Sequence, residues 1–111
     1  MVYSADQVNQ MVLDYVNKTV THASDVEEVW LFGSYSRGTF HEDSDIDLAV
    51  VSERFANELP MAMVDLYDAV WGMDADVSIQ IHGFTRDEFK GGQDLLAQEV
   101  QRTGKCVYSI H

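Results

Sequence analysis

The sequence predicts an α/β (α+β) fold, a small mixed β-sheet flanked by helices, and three observations lead there. Short apolar runs that read as strands, above all Val29-Trp30-Leu31-Phe32 and Asp45-Ile46-Asp47-Leu48-Ala49-Val50-Val51, recur along the chain. Between them lie longer segments whose apolar residues return at helical spacing. At 111 residues, 46% of them apolar, the chain suits a single domain (residues 1–111) with a modest core. No repeat, low-complexity tract or linker divides it.

In chain order, Ser4 is the N-cap of a helix with Val8, Met11, Val12, Tyr15 and Val16 on one stripe, suited to covering one face of the sheet. The run Val29 to Phe32 is a buried strand that stops at Gly33-Ser34, where a backbone can turn sharply and approach a ligand closely. A helix then begins at Ser34. The strand Asp45 to Val51 follows, and the polar Ser52-Glu53-Arg54 reads as a loop. A helix through Met63, Val64, Tyr67, Val70 and Trp71 has Pro60 in its first turn and ends near Gly72. Asp76-Val77-Ser78-Ile79-Gln80-Ile81 is the next strand. Thr85-Arg86-Asp87-Glu88 has the form of a capping box, with Phe89 on the buried side and Gly91-Gly92 as the break. The last helix runs from about Asp94 through Leu95, Leu96, Glu99 and Val100 to Gly104, and a short strand around Cys106-Val107-Tyr108 closes the chain.

The chemistry concentrates between residues 31 and 51. Backbone N–H groups at the start of a helix at Ser34, with the Ser34 hydroxyl, suit phosphate oxygens. Alternation along a strand places Asp45 and Asp47 on one face, and Ile46 and Leu48 on the other. Two adjacent carboxylates repel, and a divalent cation relieves both; hard oxygen ligands favour Mg²⁺, which also holds substrate phosphates. A third carboxylate is expected on the next strand. Asp76 is chosen, able to share the metal or to accept a proton as general base, with Asp74 as the competing choice. Arg37, one helical turn after Ser34, could neutralise phosphate charge or pair with Glu42 or Asp43.

Gly33-Ser34, a spacer of about ten residues, Asp45-Ile46-Asp47 and the later Asp76 together resemble the minimal nucleotidyltransferases of the DNA polymerase beta superfamily. The resemblance covers nearly the whole chain, including Arg37-Gly38 in the spacer and the closing stretch from Glu99 to Tyr108. It implies the nucleotidyltransferase core as the fold and ATP as the nucleotide donor. It further implies that a chain this short is similar to the antitoxin half of a two-protein system, transferring AMP to a tyrosine hydroxyl of a small helical HEPN ribonuclease toxin. Two alternatives keep the fold: a catalytically silent module that neutralises its partner by covering it, and transfer to a small hydroxylated molecule.

Seven basic residues against nineteen acidic ones give a net charge of −12, which opposes direct binding to a nucleic-acid backbone. The same charge would repel ATP, which makes a cation at Asp45 and Asp47 more necessary, and it suits a basic protein partner. No apolar stretch is long enough to span a membrane and no apolar signal segment leads the chain, so the expected compartment is the cytoplasm. The lone Cys106 cannot form an internal disulfide and is expected as a small core residue. His41 and His82 lack a second soft ligand at zinc spacing and read as surface polar groups. Trp30 and Trp71 lie in apolar patterns and are assigned to the core, while Tyr35 and Phe40 are candidate neighbours of a bound base.

Overall fold

The computed structural model of the chain describes residues 4–22, 25–33, 45–71 and 78–110. The elements are α1 (Ala5–His22), β1 (Val26–Phe32), β2 (Ile46–Ser52), α2 (Arg54–Asn57), α3 (Leu59–Trp71), β3 (Ile79–Phe84), α4 (Arg86–Lys90), α5 (Leu95–Thr103) and β4 (Lys105–Ser109). The strands form one mixed sheet in the order β3-β2-β1-β4. β1 is antiparallel to both β2 and β4, and β3 is parallel to β2.

Alternation along the strands sorts the interior into two layers. On one face Ile46, Leu48 and Val50 of β2 join Ile79 and Ile81 of β3 beneath α1 and α3. On the other, Ala49 and Val51 pack with Phe32, Phe84, Phe89, Ala97 and Val100 beneath α4 and α5. β2 is therefore covered on both sides. That is why it reads as a nearly unbroken apolar run interrupted at Asp47. The stripe expected on the first helix is buried in full, Val8, Met11, Val12, Tyr15 and Val16 all lying in the core. Its Ser4 cap is reciprocal: Ser4 Oγ accepts from Gln7 N at 3.1 Å, and Gln7 Oε1 accepts from Ser4 N at 2.7 Å.

Several expectations shift. β1 begins three residues early, at Val26, because Glu27 and Glu28 are buried in the strand with partners from α4. Arg86 donates to Glu27 Oε1 through Nε at 3.0 Å and Nη2 at 2.6 Å, and Lys90 Nζ lies 3.5 Å from Glu28 Oε2. A β-bulge at Glu27 accompanies the arrangement. Arg54 is not in a loop but opens the short α2, which carries Phe55 into the core. Among the described side chains of α3 the buried ones are Ala62 and Leu66, while Val64 is half exposed and the side chain of Val70 lies outside the described residues. In the last helix Ala97 and Val100 face inward, and Leu95 and Leu96 face outward.

The closing strand departs from expectation in one respect. Cys106 is exposed, not a core residue, since the register of β4 slips by one where it passes Val29 and Trp30. Val107 and Tyr108 supply the packing instead. The Thr85 capping box forms as expected and Phe89 is buried beneath it. Among the described residues no helix is long and apolar enough to cross a membrane.

Candidate active site

The site grows from the point where β1 ends beside the start of β2. Phe32 lies opposite Asp47 in the antiparallel register, so the turn that follows Phe32 begins against the Asp47 side chain. Gly33 adopts a φ of +79°, a left-handed conformation that other residues enter only with strain. It also leaves no room: a Cβ on residue 33 would fall 2.5 Å from Asp47 Oδ2. Gly33 and the Asp-x-Asp segment, separated in sequence, therefore meet here through the bare Cα of Gly33.

Asp47 projects from the face opposite Ile46 and Leu48, as alternation requires. Its carboxyl is pushed above the usual carboxylate range, chiefly by burial, with repulsion from Asp45 adding to the effect and His82 opposing it. Asp45 itself is exposed, immediately before β2. The backbone there is tied to the neighbouring strand, Ile46 N donating to Ser78 O at 2.9 Å.

His82 is the residue that sequence reasoning placed wrongly. It does not lie on a loop or a strand end; β3 runs on past Ile81 to Phe84 and carries His82 opposite Ala49. Its Nε2 stands 3.5 Å from Asp47 Oδ1. The imidazole also meets the Phe32 ring edge-on, with centroids 5.1 Å apart, and Ala49 lies opposite His82 in the strand register. The signal was legible: Ser78, Gln80 and His82 alternate with Ile79 and Ile81, a polar face continuing one residue beyond the expected strand.

Of the other predicted site residues, Ser34, Arg37 and Asp76 lie outside the described residues, as do the helix expected from Ser34, Glu42 and Asp43, the alternative Asp74, and His41, Tyr35 and Phe40. The side chain of Trp71 is also outside them. Trp30 is in the core layer as expected, tilted against Phe89 at 5.7 Å, with Nε1 donating to Glu28 Oε1 at 3.0 Å.

Among the described residues no group of three or more His, Cys, Asp or Glu is placed to hold a metal. The donor set that is placed, one partly desolvated carboxylate with a second two residues away, has the chemistry of a hard divalent cation. Mg²⁺ characteristically takes one or two protein carboxylates and fills its remaining positions with water and phosphate oxygens. Asp45 and Asp47 fit it.

The sequence and fold have known counterparts. The family model for the nucleotidyltransferase domain matches residues 13–103. A curated relative, the protein adenylyltransferase MntA of Shewanella oneidensis, is 31% identical over 81 residues, covering 72% of this chain and 52% of the relative. The chain thus spans about half the length of that relative. A toxin-antitoxin crystal structure with AMP-PNP superposes with a TM-score of 0.60 at 22% identity, over 91% of this chain and 73% of its own. An MntA-HpeT toxin-antitoxin structure gives a TM-score of 0.64 at 20% identity, over 96% and 74%. At those identities the two structures speak to the fold, a mixed sheet flanked by helices, and the match along most of the sequence speaks to ancestry: the chain belongs to the nucleotidyltransferase domain family.

Proposed function

We propose that this chain is a Mg²⁺-dependent nucleotidyltransferase that moves AMP from ATP onto a tyrosine hydroxyl of a small helical HEPN ribonuclease toxin, and so acts as its antitoxin. The observation that supports the reading best is the closeness of Gly33 to Asp47, because it sets the glycine of the expected phosphate-binding turn beside the carboxylate expected to bind a cation. Membership of the family supplies the reaction class. The protein adenylyltransferase named as a relative and the toxin-antitoxin structures with a similar fold support the acceptor class.

In this reading Gly33 and Ser34 hold the outer phosphates of ATP through backbone N–H groups and the serine hydroxyl, and Arg37 neutralises charge along the chain of phosphates. Asp45 and Asp47, with Asp76 as the further carboxylate, hold Mg²⁺, whose chemistry is to withdraw charge from the phosphate oxygens and orient the nucleotide. Asp76 accepts the proton of the attacking tyrosine hydroxyl. The tyrosine oxygen bonds to the α-phosphorus, the bond from that phosphorus to the bridging oxygen breaks, and pyrophosphate carries the electrons away. The surplus of acidic residues, a net charge of −12, suits a basic protein acceptor better than a nucleic acid.

The test is the intact mass of the proposed small helical partner after incubation with the chain, ATP and Mg²⁺, with the Asp45→Ala/Asp47→Ala double variant in parallel. One or more added AMP units, absent with the variant, is the expected result. An unchanged mass alongside a stable complex would replace transfer with neutralisation by covering, and AMP on a small hydroxylated compound without the partner would redirect the acceptor.

A further inference from the structure

We propose that His82 is a positioning residue for Asp47: the imidazole Nε2–H and the bare Cα of Gly33 hold the two oxygens of one carboxylate from opposite sides, fixing its orientation for a divalent cation. The proposal rests on the assignment of Asp47 as a cation ligand and extends it by one residue.

The two oxygens have different neighbours. Oδ2 is the atom that a side chain on residue 33 would strike, at 2.5 Å, so on that side the carboxylate rests against backbone. Oδ1 is 3.5 Å from His82 Nε2. Nε2 is shielded from solvent and makes no well-aligned hydrogen bond with any other group among the described residues. A shielded ring N–H without a partner costs free energy, and a modest rotation of either side chain closes the gap to Oδ1.

The imidazole is itself constrained. β3 pairs in parallel with β2, which fixes Gln80 opposite Asp47 and His82 opposite Ala49. Adjacent strands lie about 4.8 Å apart, so a β1 side chain and a β3 side chain meet over β2 only if the residue between them is small. Ala49 is that residue, and Phe32 meets the His82 ring edge at 5.1 Å with an interplanar angle of 66°. Phe32 thus backs the imidazole, the imidazole backs Asp47, and Gly33 closes the far side. The second layer of donors around a metal ligand commonly governs affinity by orienting the ligand in this way.

Mg²⁺ alone, titrated without nucleotide and followed by the amide NMR shifts of Gly33 and Asp47, reads the site independently of turnover. His82→Phe keeps a ring against Phe32 and removes the donor; His82→Gln restores an N–H donor without the ring; Asp47→Asn is the control that removes the ligand. The expected result is Mg²⁺-dependent shifts in the wild type that Asp47→Asn abolishes, affinity weakened about 10-fold or more by His82→Phe, and substantial recovery in His82→Gln. An unchanged Mg²⁺ affinity in His82→Phe, with the shifts still lost in Asp47→Asn, overturns the role of His82 and leaves the cation site standing. A wild type that responds no differently from Asp47→Asn overturns the cation site and the proposal together. Should His82→Phe fail to fold, the smaller His82→Leu serves as the donorless variant against the same two outcomes.

Discussion

Asp47 occupies the space that a side chain on Gly33 would need, its Oδ2 lying 2.5 Å from where a Cβ would stand. Gly33→Ala is therefore doubly unfavourable. The backbone at φ +79° costs about 1–2 kcal/mol for a residue with a Cβ, and the clash displaces the carboxylate. A misplacement of about 1 Å at a reacting centre costs about 100-fold in rate, and a loss of at least that size in AMP transfer is expected. Thermal unfolding separates the two effects. In an Asp47→Ala background the clash is gone, so Gly33→Ala should cost less stability there than in the wild type. Equal costs in both backgrounds would mean that the two residues do not press on one another.

The motif that names the family was legible because its requirements are local: a glycine where the chain must turn left-handed, and alternating carboxylates on a strand. Periodicity located the helices and strands of a small mixed sheet, while the order β3-β2-β1-β4 is set by pairing between distant segments. What escaped was decided by neighbours distant in sequence. Glu27 and Glu28 precede the apolar run Val29 to Phe32 from which the strand is read, yet Arg86 and Lys90, about sixty residues on, make them tolerable inside it. Leu95 and Leu96 open the last helix as adjacent apolar residues whose facing the sequence leaves undecided, and the cap at Asp94 sets a phase in which Ala97 and Val100 face Phe89. His82 gained its place only through the parallel register of β3 on β2.

That register bears on the third carboxylate. Ile79 lies opposite Ile46, and Ser78 O accepts from Ile46 N at 2.9 Å, so β3 begins at the same end of the sheet as Asp45 and Asp47. Asp76→Asn is expected to lower kcat by about 100- to 10,000-fold, the range for a general base. Asp74→Asn should leave kcat near the wild-type value. Single-turnover transfer at saturating ATP distinguishes them, and a large loss confined to Asp74→Asn would move the role two residues back.

The capping box at Thr85 connects the end of β3 to α4, and its stability can be tested apart from Asp47. Thr85 Oγ1 accepts from Glu88 N at 3.2 Å and Glu88 Oε1 accepts from Thr85 N at 2.8 Å. Thr85→Ala should cost about 1 kcal/mol in urea unfolding, with the denaturant dependence unchanged. α4 is only five residues long and carries Phe89 and the partners of both buried glutamates, so its start is not free to fray without consequence.

Tyr15 gives the protein a pH signature of its own. The residue is fully buried and its hydroxyl donates to Leu66 O at 3.3 Å, tying α1 to α3. Burial pushes its phenol well above the ordinary value of 10, Thr19 pulling slightly the other way and Tyr67 adding to the rise. With the folded-state pKa raised, the contribution is fully present below about pH 10 and is lost as pH climbs toward the folded value. In that window the unfolded chain has released a proton that the folded one keeps, so stability falls by up to about 1.4 kcal/mol per pH unit. Tyr15→Phe forfeits the hydrogen bond, about 1 kcal/mol at pH 7, but also removes this slope. The wild type should therefore be the more stable at pH 7, and the two proteins should converge between about pH 10 and pH 11. Urea unfolding across that range is the check, and curves that fall in parallel would mean that Tyr15 ionises as an exposed tyrosine does.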